Sequence, residues 1–349
     1  MAPTISDVAK LAGVGTTTVT KVLAGRKYVS EPTRKRIHEA IAALDYHPST
    51  AGRVLRTGVA HVLGVITPPP LAQPFTHYAF FSRVLDGIGE CAAAHGYDVL
   101  WITGDRLPAS GGGEPGSYAA LFKSKRVDGL IDLYIHPHDP RIDGMRASGY
   151  PFVLVGNPED ESLPHVFGDH RQGGALAGQA FIRRGHTSVG YIGIEDSPAS
   201  RGRFGGLCTA LAEVGQVVLP EHIGLAQRRG KLPDYERLGW STMRRWLAGK
   251  CAPRAVLTFS DSIAYGVLRA CHESGIGVPD ELAIVGFDDE PPSRLITPPL
   301  ATVQQPFREL GHAAASLLLQ IMAGATPDPP REIVPMSLIE RESLGPISA

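Results

Sequence analysis

The apolar residues of the first 23 positions recur at helical spacing and predict two short helices joined by a tight turn. Residues three or four apart share a helix face. One face of the first helix is therefore formed by Ile5, Val8, Ala9 and Leu11. Gly13 breaks this pattern, and helical spacing resumes over 16–23. The segment therefore predicts a helix-turn-helix.

The second predicted helix turns Val19 and Val22 inward and leaves short hydroxyls and a lysine largely outward. The outward residues are Thr16, Thr17, Thr20 and Lys21. Such side chains suit the base edges and phosphates of DNA, so the pattern favours a helix that enters the major groove. Any small helical hairpin with a glycine turn has the same spacing, and that alternative stays open at this point.

A third helix and a short connecting segment complete the first 60 residues. Ser30 is the predicted N-cap, with Glu31 and Pro32 in the first turn and apolar residues at helical spacing over 37–44. Segment 49–58 is too short to form a stable helix in isolation. We expect it to fold when it docks.

From His61 onward, short apolar strands alternate with amphipathic helices. The predicted strands cover 62–67, 98–102, 129–133, 152–155, 189–193, 255–259, 283–287 and 332–340. The predicted helices cover 81–95, 118–126, 173–184, 203–214, 238–247, 263–273 and 306–322. This succession of βαβ units implies two similar α/β lobes, each built on a parallel sheet covered on both faces.

The length of 349 residues exceeds one ordinary hydrophobic core, so a small head and a body of two lobes are expected. The body is predicted to cross between its lobes three times, near Pro164, between Pro291 and Thr297, and near Ala325. The predicted divisions are a helix-turn-helix domain at 1–47, a hinge at 48–60, an N-terminal lobe at 61–163 plus about 293–324, a C-terminal lobe at 164–292 plus about 325–341, and a tail at 342–349. Three connections of this kind predict a clamshell.

Charge divides unevenly along the chain. Residues 1–60 hold nine Lys and Arg against four acids, a net charge of +5, whereas the remainder holds 25 against 31, a net charge of −6. A basic head on an acidic body is typical of a protein whose one end meets a polyanion. A solvated run of surface charges is the alternative explanation.

Several classes of protein are disfavoured by what the sequence lacks. It has no run of about 18 apolar residues and no signal peptide at Met1, so we expect a cytoplasmic, nucleoid-associated protein without a membrane partner. Its four cysteines are widely spaced, as expected of reduced thiols. No G-x-S-x-G elbow, Walker A motif or metal-spaced histidine pair is present. We therefore expect no catalytic residue, cofactor or metal.

Three segments together resemble the LacI/GalR family of bacterial transcriptional regulators. They read D-V-A-K-L-A-G-V at 7–14, Y-V-S-E-P-T-R at 28–34 and L-D-Y-H-P-S-T-A-G-R-V-L-R-T-G at 44–58. The resemblance covers nearly the whole chain. It implies an all-α helix-turn-helix head with a hinge helix, followed by an α/β core like that of periplasmic sugar-binding proteins. It also implies a homodimer on pseudo-palindromic operator DNA, acting as a repressor of a carbohydrate-related operon.

Residues for DNA follow from the outward face and from this resemblance. The predicted set is Thr4, Thr16, Thr17, Thr20, Lys21, Tyr28, Arg53 and Leu55. The resemblance makes Leu55 the apolar wedge that enters the minor groove, where such insertion kinks the duplex. Lys21 stands where the family has arginine. The lysine ammonium is a point charge and lacks the paired donors with which an arginine guanidinium can bind one partner through two hydrogen bonds.

Ligands of open α/β sheets bind at the carboxyl ends of the strands, here between the two lobes. The resemblance assigns Arg203, in S-R-G-R-F-G-G-L, as the effector clamp, and Asp288, ending A-I-V-G-F-D, as an acceptor of effector hydrogen bonds. It assigns Phe80 and Phe81 as an aromatic pair over the ligand. Further candidates are Asn157, Asp169 and Asp261.

Each of these assignments has a structural alternative. Core packing explains either phenylalanine, a surface turn explains Asp288 and its neighbour Asp289, and helix N-capping explains Asp169 and Asp261. The loop before Phe80 is longer than is usual in the family, so Phe75 or Tyr78 is an alternative aromatic contact.

Two residues depart from the family pattern at this place. Ser260 and His170 each stand where asparagine is common. The effector is therefore open: a sugar or sugar derivative is favoured by family habit, and a purine or nucleoside is the alternative. A sugar-metabolising enzyme fused to the head is the competing class. It would need a perturbed acid/base pair in the cleft.

Overall fold

The structure is a computed structural model that describes residues 3–23, 28–47, 54, 58–67, 76–103, 118–133, 140–158, 160–195, 197–227, 234–325 and 327–346. The chain divides into two compact units, Met1–Ala60 and His61–Ala349. The helical head and the two-sheet α/β body confirm the predicted fold class.

The head contains three helices, α1 (Ile5–Ala12), α2 (Thr16–Leu23) and α3 (Glu31–Leu44). They enclose a core of Val8, Ala9, Ala12, Val19, Val22, Ile37 and Ala40. Ala12, rather than the predicted Leu11, completes the buried face of α1, and Leu11 is 56% exposed. Position 12 comes seven residues after position 5, which is almost two full turns, so it lies on the same face. Position 11 lies about one third of a turn away from position 5.

Caps set the ends of these helices. Thr4 and Asp7 form a capping box, in which each side chain accepts the backbone N–H of the other. Gly13 then ends α1 with a left-handed backbone. Ser30 occupies the N-cap position of α3, but its hydroxyl bonds to the Thr33 hydroxyl at 2.9 Å instead of capping the helix.

The first sheet of the body contains six parallel strands. They are β1 (Val62–Thr67), β2 (Asp98–Thr103), β3 (Gly129–Asp132), β4 (Phe152–Val155), β5 (His165–Gly168) and β11 (Arg331–Val334), in the order β11-β5-β4-β3-β1-β2. Its helices are α4 (Thr76–Ala94), α5 (Tyr118–Lys123), α6 (Pro140–Ser148) and α11 (Phe307–Met322). Separate apolar clusters fill its two faces, which explains the continuous apolar run of β4.

The second sheet repeats this plan. Its strands are β6 (Val189–Ile194), β7 (Ile223–Ala226), β8 (Ala255–Thr258), β9 (Ala283–Phe287), β10 (Ala301–Gln304) and β12 (Ser337–Ile339), in the order β12-β10-β9-β8-β6-β7. Only β12 runs antiparallel to its neighbour among these strands. Its helices are α7 (His170–Arg183), α8 (Pro198–Ala212), α9 (Tyr235–Ala248) and α10 (Asp261–Ser274).

The three crossings between the sheets lie later in the chain than predicted. β5 still pairs in the first sheet, so the chain crosses after Gly168 rather than near Pro164. β10 still pairs in the second sheet, so the next crossing lies at 305–306 rather than between Pro291 and Thr297. The last crossing separates β11 from β12 and replaces the one expected near Ala325.

Four α-helices or strands of the described residues escaped the sequence prediction, and one predicted strand was wrong. The missed elements are β5, β7, β10 and α6. Each of the three strands is only four residues long, too short to show periodicity. The predicted strand at 332–340 is two strands in different sheets, because the chain crosses between the sheets at 335–336.

Glycine pairs let the helices of each lobe pack backbone to backbone. A Cβ atom on one glycine of each pair would lie 1.9–2.0 Å from a carbonyl oxygen of the facing helix. The pairs are Gly87 with Gly311 between α4 and α11, Gly174 with Gly206 between α7 and α8, and Gly239 with Gly266 between α9 and α10. In the second pair, the carbonyl that Gly174 faces belongs to Arg203.

Candidate functional site

Arg203 is the centre of the candidate site. It lies in α8, which begins at Pro198 after the N-cap Ser197, and it is only 3% exposed. Its guanidinium carbon lies 3.7 Å from the ring centre of Phe287 and 4.4 Å from that of Phe259. Phe287 is the last residue of β9, and Phe259 directly follows the neighbouring strand β8. The guanidinium therefore lies against two rings at the carboxyl edge of the sheet.

Polar partners fix the edges of the same guanidinium. Its Nε donates to Nδ1 of His170 at 3.4 Å, and Nη1 donates to the carbonyl oxygen of Phe259. Nη2 lies 3.8 Å from Oδ1 of Asp288. Two aromatic contacts, two hydrogen bonds and one ion pair from the protein itself hold Arg203 in one orientation, which is the preorganisation that a binding clamp needs.

Asp288 follows β9 with a backbone φ of 110°, a conformation that a residue with a side chain rarely adopts. Its N–H bonds to the carbonyl oxygen of Val303 at 2.8 Å, and its Oδ1 accepts from Nε2 of Gln305 at 2.5 Å. Burial raises the pKa of Asp288 to about 6, against the lowering effects of Arg203 and Gln305. Gln305 belongs to the second crossing, so this carboxylate is bonded directly to a connection between the lobes.

Asp261 is bonded into the fold and does not form the predicted N-cap. It is fully buried: Oδ1 accepts from the Thr302 hydroxyl at 2.6 Å, and Oδ2 accepts from the Ser293 hydroxyl and the Glu290 N–H at 2.7 and 2.8 Å. The cap of α10 is Ser260, whose side chain accepts from the N–H of Ile263. Both carboxylate oxygens of Asp261 are therefore occupied by the fold.

Glu290 is a buried acid that sequence reasoning did not single out. It is 7% exposed, and its Oε2 accepts from the Ser262 hydroxyl at 3.3 Å. Burial and the nearby charges of Asp288 and Asp261 raise the pKa of Glu290 to about 9. Its position three residues after β9, in a Pro-rich segment, carries no sequence signal of burial. The carboxyl group is therefore protonated at neutral pH.

Replacing Glu290 with glutamine should stabilise the protein at alkaline pH. A raised carboxyl pKa contributes stability that is present in acid and is lost as the pH rises from about 4.5 toward 9. Glutamine cannot ionise, so Glu290→Gln should have nearly the wild-type free energy of unfolding at pH 5 and a higher one at pH 8.5, by at least about 1.4 kcal/mol, the equivalent of one pKa unit. Melting curves over this range measure the difference, with exposed Glu213→Gln as control. A difference that does not grow with pH would contradict the buried neutral carboxyl.

The other predicted ligand residues lie in varied surroundings. Phe80 and Phe81 belong to α4, where their rings meet edge to face at 4.8 Å and pack on the first-lobe core. Asp169 caps α7 by accepting from the N–H of Gln172 at 2.8 Å. Asn157 is half-buried after β4. Phe75 lies outside the described residues, as do the segments that follow β1, β2, β3 and β7.

Asp289 is not the surface turn acid that the sequence suggested. Its Oδ1 accepts from Arg341 at 2.6 Å and its Oδ2 accepts from Gln304 at 2.8 Å. Its side chain is 16% exposed. The residues that sequence reasoning did not assign to the site are Phe259, Phe287, Gln305 and Glu290, and His170 was noted only as a departure from the family pattern. Of these, Phe259 and Phe287 were accessible to the same strand-end rule that selected Asp288.

The predicted DNA residues of the head fall on its surface where the structure describes them. Thr16, Thr17 and Lys21 of α2 are exposed and Thr20 is half-buried. Tyr28 is 95% exposed. The hydroxyl of Thr4 bonds to the Asp7 carboxylate at 2.7 Å within the capping box. Arg53 and Leu55 lie outside the described residues.

Comparison with known proteins identifies both parts of the chain. Residues 4–49 match the model of bacterial regulatory proteins of the lacI family, and residues 179–344 match that of a periplasmic binding protein-like domain. A transcriptional repressor, PurR, from Pectobacterium atrosepticum is 30% identical over 98% of this chain and 97% of its own length. The chain belongs to the lacI family of bacterial regulatory proteins. It is accordingly a DNA-binding transcriptional regulator.

Solved structures of the lacI family share its architecture throughout. The lac repressor dimer bound to operator and the anti-inducer ONPF is 25% identical, with a TM-score of 0.79 and 99% of each chain covered. The complex of the regulator CelR with cellobiose is 27% identical, with a TM-score of 0.69 over 98% of this chain and 99% of CelR.

The described residues of the present chain include no helix that is long and apolar enough to cross a membrane. They also include no group of side chains that is arranged to hold a metal ion.

Proposed function

We propose that this regulator is a repressor whose affinity for operator DNA is controlled by a small effector bound beside Arg203. The observation that carries the proposal is the preorganised pair of Arg203 and Asp288 at the carboxyl edge of the second sheet. Asp288 is also bonded to Gln305 in a crossing. A ligand that forms a hydrogen bond with the Asp288 carboxylate therefore acts on a segment that connects the lobes. A change in lobe orientation must begin in such a segment.

We infer that the working form is a homodimer in the cytoplasm, with two heads on the half-sites of a pseudo-palindromic operator. The lac repressor dimer bound to its operator, similar over the whole chain, supports this assembly. One small head offers limited surface for strong specific binding, whereas two heads double the contact and match the two-fold symmetry of a palindrome. The cytoplasmic location follows from the need to reach the chromosome.

The site favours an uncharged polar effector. The charge of Arg203 is offset by Asp288, and the charge of Asp261 also acts on the guanidinium. A sugar or sugar derivative supplies the required hydroxyl donors and acceptors, and CelR with cellobiose is a sugar-bound neighbour. The PurR relatives favour a purine base or nucleoside as the second candidate. We propose no catalytic activity, because the relatives that match this chain over nearly its whole length are transcriptional repressors.

A ligand screen tests the effector part of the proposal. Purified protein is melted with cellobiose, lactose, glucose 6-phosphate, adenine, guanine and hypoxanthine. A bound ligand at 100 times its Kd adds about 2.7 kcal/mol of stability. Operator affinity is then measured with and without each stabilising compound, and chromatography checks that the compound is unchanged. An operator affinity that no stabilising compound alters would contradict effector control, and turnover would indicate an enzyme.

Replacing Thr17 with alanine should relax the base preference within each half-site by about 1–3 kcal/mol, the range for a good base contact. Thr17 is exposed on α2 and has no role in the head core. Selection from random DNA supplies the preferred site, and titration against single-base variants measures the preference. Thr33→Ala on α3 is the control, since it also removes a hydroxyl from the head. An unchanged profile for Thr17→Ala would remove this residue from sequence readout.

A further inference from the structure

His170 is the one imidazole that touches the guanidinium of Arg203 among the described residues. It is the first residue of α7, directly after the N-cap Asp169 and the first crossing. Its ring lies 6.3 Å from that of Phe287, the same ring that stacks on Arg203. Gly202 leaves room for it, since a Cβ atom there would lie 2.9 Å from the Cβ of His170. The chain therefore provides a defined position for this side chain.

The contact with Arg203 determines which ring nitrogen carries the proton. Nε of arginine is always a donor, so Nδ1 of His170 must accept and a neutral ring must carry its proton on Nε2. A second proton on the ring would place the Nδ1–H of His170 against the Nε–H of Arg203 and a positive charge beside the guanidinium. Burial and the Arg203 charge accordingly hold the pKa of His170 well below its usual range. The charged groups around this pair are Arg203 from α8, Asp288 after β9, Asp261 from α10 and Asp169 before the ring itself.

The other nitrogen is available to a ligand. Nε2 of His170 has no hydrogen-bond partner among the residues that the structure describes, and the side chain is half-buried rather than sealed. We propose that His170 is a fixed, uncharged hydrogen-bond donor in the effector site, which selects effectors that present an acceptor beside the Arg203 guanidinium. The inference rests on the proposed function, because it concerns the same site.

The consequence for specificity lies in the contrast between histidine and asparagine. An asparagine carboxamide carries both a donor and an acceptor and can exchange them by rotation. The His170 ring cannot do so while Arg203 occupies Nδ1. Its donor is therefore fixed in direction and in charge across the physiological pH range.

The ring state is tested first, on the ligand-free full-length protein. Two-dimensional ¹H–¹⁵N spectra of ¹⁵N-histidine-labelled protein, assigned through loss of a signal in His170→Asn, should show a neutral ring with its proton on Nε2 from pH 8.0 down to pH 5.5. Gly202→Ala, whose new Cβ atom would press on the Cβ atom of His170 and so shift the ring relative to Arg203, should mix the two tautomers. A ring that is protonated at pH 6, or that carries its proton on Nδ1, would overturn the proposal. The histidine spectra give this result whether or not Arg203 binds the effector.

Selectivity is tested with the compounds that stabilise the wild type in the six-compound screen. His170→Asn should weaken the acceptor-bearing ones about three- to tenfold, the range that one neutral hydrogen bond contributes. The control is His186→Asn, beyond the opposite end of α7, where burial and Arg184 also lower the histidine pKa but Arg203 is not contacted. Equal affinities for wild type and His170→Asn would refute the selecting role, as would an equal loss in both variants.

Discussion

Replacing Arg203 with alanine should abolish the ligand-dependent change in operator affinity, while the affinity without ligand stays close to wild type. The clamp, its two stacking contacts and its charge are removed together. Stability should fall as well, because Asp288 keeps a buried carboxylate without its cation. Removing one partner of a buried ion pair typically costs about 3–5 kcal/mol, and the 3.8 Å separation places this pair at the lower end of that range.

The measurement is operator titration with and without a compound that stabilises the wild type, together with melting curves. Arg184→Ala is the matched control, because Arg184 is also buried in the second lobe and binds Glu340 at 2.8 Å. It should lower the melting temperature but leave the ligand response. A full ligand response in Arg203→Ala would refute the assigned site, and loss of operator binding without ligand would make Arg203 structural.

Replacing Gly174 with alanine should weaken the ligand response without touching any group that binds the ligand. The new Cβ atom would lie 1.9 Å from the carbonyl oxygen of Arg203, whereas real contacts of this kind exceed 3.0 Å. Helices α7 and α8 must therefore separate by about 1 Å at the residue that forms the clamp. Overpacking typically costs about 1–3 kcal/mol, and a clamp displaced by more than about 0.5 Å loses its productive geometry.

Gly266→Ala separates these two effects. Its new Cβ atom would also lie 1.9 Å from a carbonyl oxygen, that of Glu236. This contact is in the same lobe but between α9 and α10. Both variants should lower the melting temperature to a similar extent, and only Gly174→Ala should also raise the ligand concentration needed to change operator affinity. Equal ligand responses in the two variants would show that the approach of α7 to α8 does not position Arg203.

Much of the fold was accessible from local pattern. Helical spacing in the first 44 residues predicted the three helices of the head, and alternation from His61 predicted two α/β lobes. Short strands were the limit of this approach. Four-residue segments such as β5 and β10 are buried on both faces, so they show no alternation, and the crossings next to them were misplaced as a result.

The candidate site divides along the same line. Sequence alone selected Arg203 and Asp288, because strand ends and a family motif are local features. It gave Asp261 a capping role and Asp289 a surface position that the structure does not show, and it did not single out Glu290, because the burial of an acid depends on what packs over it from distant parts of the chain. Thr302, which binds Asp261, lies 41 residues away from it.

The sequence by itself therefore determined the class of protein, the helices of the head and the strand ends where a ligand is expected. Only the tertiary structure decided which polar groups at those ends are free and which are consumed by the fold. The contact of His170 with Arg203 joins residues 33 apart through the approach of two helices at paired glycines. Such contacts arise when elements pack, and no periodicity within one element records them.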